Sequence, residues 1–451
     1  MLLARIAFVI ALMFVSAVVG GMMLFLLPIG DWVSSRLVGP TKEVAKAIAY
    51  ETGFALPFYY SKRGDLERVR RNEASPMMPG ATLLTQVGSD DMLEVVIIAE
   101  SGDVIQRWPV DWFELWPDPS HLPEDKKPQQ HPGTHIHGAV LLDDGSVVFN
   151  FENLGLIRLD ACGQVVWRLP ERTHHAIYQA EDGTLWLPSE RDQPQEPGSD
   201  PLAKTRDYTI LQLTQDATVL REISINELLR QNDLLGYVFA RAQGNEDLSL
   251  SGDALHLNDV DIFPTTLPAG FFAPGDIMIS LRNINTIFLF DGTSLKLKKA
   301  WTGPFIRQHD PDFIDGDTIS VFDNNNVAAK GADRSSKILL LHANDAAVDV
   351  VYEGTPAAPF YTAIMGKHQT MANGNVLITE SMNGRVFEID PAGAIVWEYN
   401  NIVGDGMVGL VEEGQRLPER FDAAFFAAAR SACPAPAQQS GLAVTPARKL
   451  L

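Results

Sequence analysis

Cysteine is nearly missing: the chain has 2 in 451 residues. Two thiols cannot build a disulfide-dense scaffold, an iron–sulfur cluster held only by cysteines, or a four-cysteine zinc site. Basic residues are in deficit, 36 against 57 acidic ones, which leaves a formal net charge of −21. That excludes nucleic acid as a partner, because phosphate binding needs a basic face. A small anionic substrate stays open, since a basic pocket can sit inside an acidic protein. Low-complexity sequence does not dominate: the 35 glycines and 28 prolines suit a turn-rich globular chain. Helical periodicity is absent between residues 80 and 410, apart from INELLRQNDLL near 225–235. The 46% of hydrophobic residues can fill a sizeable core.

Charge is absent from Ile6 to Leu27. A helix crosses a bilayer with about 20 apolar residues, whereas a cleaved signal has an apolar core of about 7–15. Pro28-Ile29-Gly30 is a poor cleavage site. Arg5 and the amino terminus put positive charge on the leading side, which keeps that end cytoplasmic. Residues 1–30 are therefore expected to be a transmembrane signal anchor. In a bacterium the rest would face the periplasm from the inner membrane. Residues 31–79 read as a stalk, helical at TKEVAKAIAYETG with Thr41 as cap, then charged and loose at DLERVRRNEASP. Residues 411–451 read as a short helix, FDAAFFAAARSA, and a Pro/Ala-rich disordered tail.

The middle repeats. His137 opens HGAVLLDDGSVVFNFENLGLIRLDACGQVVWRL, and His368 opens HQTMANGNVLITESMNGRVFEIDPAGAIVWEY. Both run through an alternating strand, a turn dipeptide, a second strand, a break, a third strand and a glycine turn before tryptophan. Asp160, Gly163 and Trp167 have the spacing of Asp390, Gly393 and Trp397. His175 opens the first half again, in HAIYQAEDGTLWLPSERD. The turns Asp144-Gly145, Asp182-Gly183 and Asn373-Gly374 are strong hairpin signals. Weaker copies begin at His256 and His309, and residues 80–110 form a copy with no leading histidine. Six units of about four strands predict an all-β fold, a six-bladed β-propeller over residues 80–410.

The histidines share a place in the repeat. The innermost strand of a propeller lines its channel, so His137, His175, His256, His309 and His368 are expected to face one another. A ring of imidazoles suits metal binding or group transfer. His135 and His137, two residues apart on one strand face, could serve a metal, but no carboxylate set is evident beside the histidines. Arg282, at the end of an alternating strand, needs an anion if it faces the channel, or an outward salt bridge if it does not.

These segments resemble the bacterial arylsulfotransferases. HLNDVDI, GDIMISLRNINTIFLFD, QHDPDFIDGDTISVFDNNN and the His368 segment carry the likeness, in order, over about residues 130–400. The resemblance implies a six-bladed propeller that moves a sulfuryl group from an aryl sulfate ester to a phenol. It implies a sulfated histidine intermediate, with no cofactor and no metal. By the same resemblance His309 looks like the nucleophile, His256 an acid/base and sulfuryl contact, Arg282 the clamp on sulfuryl oxygens, and His175 a further channel ligand. His368 is the alternative nucleophile, and His137 and Asn258 are additional channel candidates. Asp259 stands where the family carries a small hydroxyl residue. The well-known members also have a β-rich N-terminal domain that is not evident here.

Cys162, in an exposed turn, could pair with Cys433 in an exported protein, or both could be free thiols. A non-catalytic, membrane-anchored propeller serving as scaffold or binding subunit is the reading from another class, because fold does not fix function.

Overall fold

The computed structural model describes residues 57–433, apart from 192–201, 203–204, 241, 243–249, 251, 328–334 and 405. Contacts divide the chain into two units, Met1–Tyr59 and Tyr60–Leu451. The expected anchor, the helical part of the stalk and the Pro/Ala-rich tail lie outside the described residues. Among the described residues no helix is long and apolar enough to cross a membrane.

The second unit is all-β and built from antiparallel sheets in a propeller-like order. Six sheets, I to VI, have four or five strands each. Sheet I contains Thr82–Val87, Leu93–Ile98 and Val104–Val110. Sheet II runs from Ile136–Leu141 to Val165–Leu169, and sheet III from Arg172–Thr173 and Tyr178–Gln179 to Val219–Ser224. Sheet IV runs from Leu257–Ile262 to Leu297–Thr302, and sheet V from His309–Phe313 to Val348–Glu353. Sheet VI runs from Lys367–Thr370 to Ile395–Asn400. A three-stranded sheet joins Tyr60–Lys62, Ile402–Gly404 and Met407–Gly409.

The turns form where the repeat marks them. Gly145, Gly183 and Gly374 have φ of 81°, 81° and 83°, which a residue with a side chain adopts reluctantly. The residue before each glycine accepts from a backbone N–H two residues on: Asp144 from Ser146, Asp182 from Thr184, Asn373 from Asn375. The repeated tryptophans tie one sheet to the next. Trp167 Nε1 donates to Gln215 O of sheet III at 2.9 Å, and Trp397 Nε1 to Glu100 O of sheet I at 2.8 Å.

Neighbouring sheets make a closed circuit. Asn150 Nδ2 donates to His175 O across II and III, and Tyr178 Oη to Ile262 O across III and IV. Asn258 Nδ2 donates to Gln308 O across IV and V, and His368 N to Asp310 across V and VI. Arg416 N donates to Gln369 Oε1 across VI and I, and Thr85 Oγ1 to Ile136 O across I and II. Apolar clusters fill the spaces between sheets, such as Ile210, Leu257, Ile279 and Phe288 between III and IV. Alternation along a strand puts every second side chain into such an interface, and each large one buried there contributes about 1.5–3 kcal/mol.

Two expected boundaries are corrected. Val411–Arg416, read as the start of the tail, is the inner strand of sheet I and pairs with Thr82–Val87. The copy at 80–110 lacks a leading histidine because its first strand comes from the far end of the chain, with Glu412 near its head. Val69–Arg71, read as stalk, adds a fifth strand to sheet VI beside Ile395–Asn400. Pairing partners so distant in sequence leave no local signal. INELLRQNDLL becomes two helices, Ile225–Gln231 and Leu235–Phe239, the first capped by Ser224. FDAAFFAAARSA forms the helix Ala423–Ser431, capped by Asp422. Cys162 and Cys433 are joined, with Cα atoms 6.4 Å apart.

Candidate active site

The inner strands of sheets II to V bring four histidines together. The rings of His137 and His175 are 3.8 Å apart, those of His175 and His256 4.9 Å, and those of His175 and His309 6.3 Å. His368 does not join them. The reason is register. His175 and His256 themselves take positive φ, 58° each, ahead of their strands, whereas in sheets V and VI that conformation falls on Arg307 and Met365. His309 and His368 thus lie farther along their strands, and His368 faces Asp310 and Ser320 instead. Its Nδ1 is 3.1 Å from Asp310 Oδ2, and its Nε2 2.7 Å from Ser320 Oγ. The expectation of five mutually facing histidines holds for four.

Each of these four has a fixed Nδ1. His137 Nδ1 meets Glu152 Oε2 at 2.7 Å, and His256 Nδ1 meets Asp253 Oδ2 at 2.6 Å. His175 Nδ1 meets His174 Nδ1 at 2.8 Å. His309 Nδ1 faces two acceptors, Asn324 Oδ1 at 2.6 Å and Arg307 O at 3.1 Å. Asn324 is itself oriented, because its Nδ2 donates to Thr362 O and Met365 O. His309 must then carry its proton on Nδ1. Its Nε2 keeps a lone pair, and that atom is buried without a hydrogen bond among the described residues.

A proton order follows for the rest. Asp253 accepts from His256 Nδ1–H, so neutral His256 has its lone pair on Nε2. That atom is 3.2 Å from His175 Nε2, which donates to it. His175 Nδ1 then accepts from His174. Tyr208 Oη donates to the other Asp253 oxygen at 2.8 Å.

Burial, then the charge of Arg282, holds the His309 imidazole well below the ordinary 6.5. Burial and the neighbouring histidines do the same for His175, and burial lowers His174 to about 4. Burial also lowers His256, against the pull of Asp253. Burial works against the Asp253 and Glu152 carboxylates, but the hydrogen bonds and charge of His256 and His137 hold both well below their ordinary values. His135 goes the other way: burial opposes its charge, but Glu412, 2.8 Å away, lifts it to about 9.

Arg282 opens the short turn after Ile277–Leu281, and its backbone N–H donates to His256 O at 3.0 Å. No carboxylate lies within ion-pair distance of its guanidinium among the described residues, so the outward salt bridge is not formed. Burial and Arg307 depress it to about 10. Asn258 is committed to Gln308 O and lines the pocket beside His175 and His309.

The expectation that no carboxylates converge on the histidines is overturned. Glu152, Glu412 and Asp253 all do. Asp253, three residues before His256, had a local signal in GDALH; Glu412 reaches the site only through closure of sheet I. Two overlapping groups, His135–His137–Glu412 and His137–Glu152–His175, have metal-binding side chains in reach, as does Asp310–Asp312–His368.

A cavity of about 390 Å³ lies inside the circuit, and every sheet's inner strand lines it: Gln415, Val140, Tyr178, Asp261, Asp312 and Gln369, from I to VI. It adjoins a pocket of about 10 Å³ lined by His137, His175 and His309. Ala176, Asp259, Asp310 and Lys367 line both. Asp259 thus points inward.

The profile described as arylsulfotransferase (ASST) matches residues 138–402, more than half of the chain. This chain belongs to the arylsulfotransferase family. The matched span begins beside His137 and includes His175, His256, Arg282, His309 and His368. No curated protein matches the chain. Among solved structures, a protein of unknown function from Bacteroides caccae is similar at 11% identity and TM-score 0.45, covering 74% of this chain and 98% of that one. A streptogramin B lyase is similar at 14% identity and TM-score 0.38, covering 74% and 89%. The β-propeller domain of Cps50 (Swd1) from Myceliophteria thermophila is similar at 7% identity and TM-score 0.39, covering 76% and 100%.

Proposed function

We propose that the six sheets are the blades of a six-bladed propeller, and that it transfers sulfuryl groups from aryl sulfates to phenols through a sulfated His309. The observation that carries the reading is the oriented, unpartnered Nε2 of His309 beside an arginine without a carboxylate partner. In the first half-reaction the Nε2 lone pair forms an N–S bond as the S–O(aryl) bond breaks. The electron pair leaves on the aryl oxygen, which takes a proton from His256 in its imidazolium form. In the second, a phenol gives that proton to His256 Nε2 and its oxygen displaces His309 from sulfur. Asp253 stabilises the imidazolium that opens the first half-reaction and is regenerated by the second. Arg282 supplies positive charge to the sulfuryl oxygens. The pocket leaves room for about one water, so side chains must move apart to admit a sulfuryl group.

The apolar run Ile6–Leu27 supports a single-pass anchor, with the propeller on the periplasmic side of the inner membrane. Aryl sulfates and phenols are then the small-molecule partners.

The test mixes the protein with 4-nitrophenyl sulfate and follows intact mass and nitrophenol release. A sulfuryl-sized mass gain and phenol-stimulated release are expected. Both should vanish in folded His309→Ala. An adduct that survives in that variant removes His309 as nucleophile.

A further inference from the structure

The central cavity is acidic in an unbalanced way. Asp259, Asp261, Asp310, Asp312 and Glu413 line it. Lys367 is committed to two of them, 3.5 Å from Asp310 Oδ1 and 3.3 Å from Glu413 Oε2. His368 is held between Asp310 and Ser320. Asp261 accepts from the backbone N–H groups of Ile262 and Phe313 but from no cation. Asp312 has only His368 Nε2, at 3.8 Å. Asp259 is 4% exposed, yet among the described residues no side chain donates to it and no cation lies within ion-pair distance.

Such carboxyls are poorly satisfied in their charged form. Burial and Asp310 hold Asp259 well above the ordinary range, and burial pushes Asp261 up to about 7. The rest of the lining mixes aromatic and aliphatic side chains, Tyr178, Phe421, Val140 and Ile177 among them, with Gln179, Gln369 and Gln415, and its arginine, Arg420, is paired with Asp143. A second cavity, of about 240 Å³, shares Tyr178, Asp261, Asp312 and Gln369 with it. Aromatic and aliphatic side chains beside unpaired carboxyls suit an aromatic cation. An ammonium lets these carboxyls ionise against it, whereas an aryl sulfate bearing only its negative charge finds no partner among them.

Resting on the sulfotransferase reading, we propose that the substrates are phenolic amines and their sulfate esters. The phenol oxygen passes Asp259 toward His309, and the ammonium rests between Asp261 and Asp312. Asp259 and Asp261 are two residues apart on one strand, about 7 Å, roughly the span of a para-substituted ring. The ammonium pairs with carboxylates that have no other cation. The zwitterionic ester then brings no net charge into an acidic channel.

The test uses the full chain with saturating 4-nitrophenyl sulfate and three acceptors of similar size. These are tyramine, 4-ethylphenol and 3-(4-hydroxyphenyl)propionate. The expected kcat/KM is highest for tyramine, on the order of 10-fold above 4-ethylphenol, and lowest for the propionate. Phenethylamine, which has no hydroxyl to sulfate, should bind saturably by calorimetry. Asp312→Asn, at a partly exposed side chain, should weaken that binding and shrink the tyramine preference. Equal sulfation of all three acceptors with no phenethylamine binding overturns the proposal. So does displacement of phenethylamine by micromolar manganese or calcium, which would assign the carboxyls to a metal. Phenethylamine binding without sulfation of any acceptor would keep the amine site and overturn the transferase reading instead.

Discussion

At the scale of single residues, the chemistry rests on which nitrogen carries a proton. As the proposed nucleophile, His309 can attack only when neutral. Its imidazole is held well below 6.5 by burial and Arg282, so the neutral form persists on acidification. In the pH profile of sulfuryl transfer from 4-nitrophenyl sulfate, the acid limb should therefore lie clearly below pH 6.5, the ordinary histidine value. A limb near that value would mean that an ordinary, solvated histidine governs the step. In the proposed cycle Asp253 acts through His256, whose Nδ1 it holds. Asp253→Asn should slow turnover by about 10²-fold or more for donors with a basic phenol, since those need a protonated leaving oxygen. The loss should be much smaller for 4-nitrophenyl sulfate, whose phenolate leaves unaided. A series of donors of graded leaving-group basicity reads this, and an equal loss along the series would reduce Asp253 to a structural role.

At the scale of elements, two strands meet where the site is built. The inner strand of sheet II passes so close to His175 that a Cβ on Gly138 would collide with the His175 carbonyl oxygen. That oxygen already accepts from Asn150 Nδ2 at 2.7 Å, which fixes it from the other side. Gly138→Ala should therefore push sheets II and III apart and cost about 1–3 kcal/mol, seen as a lower Tm. Activity should fall beyond the stability loss, because His137 and His175 lie on the two parts being separated. An unchanged Tm would show that the strand has room to shift. The pairing pattern explains why this was hidden in sequence: a glycine immediately after HIH reads as one more turn residue until its neighbour is seen.

At the scale of the molecule, closure decides the fold. Val411–Arg416 completes sheet I, and Gln369 and Arg416 link it to sheet VI. A chain ended after Leu410 lacks that strand and leaves the apolar edge of Thr82–Val87 unpaired. It should fail to give the cooperative unfolding transition that a chain ended after Cys433 retains. Far-UV circular dichroism and thermal melts of the two compare them directly. A cooperative, equally stable shorter chain would show that the circuit does not need its last strand. The joined Cys162 and Cys433 hold the helix Ala423–Ser431 against the same part of the molecule.

The sequence alone determined the all-β class, the hairpin turns and four of the histidines that meet. Alternation, Asp-Gly and Asn-Gly turns and the Asp…Trp spacing act over a few residues, so they are written locally. The arylsulfotransferase likeness, likewise, sits in short ordered motifs. Tertiary structure alone decided what surrounds those histidines. Glu412 arrives by closure, Asn324 from the neighbouring strand of sheet V, and His368 is turned away by a register offset of its strand. The same holds for the aspartates. Asp259, Asp261 and Asp312 lie on two strands from different sheets, and only the packing of sheet IV against sheet V brings their carboxyls into one cavity. Charge, burial and register are properties of that enclosure, and no stretch of the chain carries them by itself.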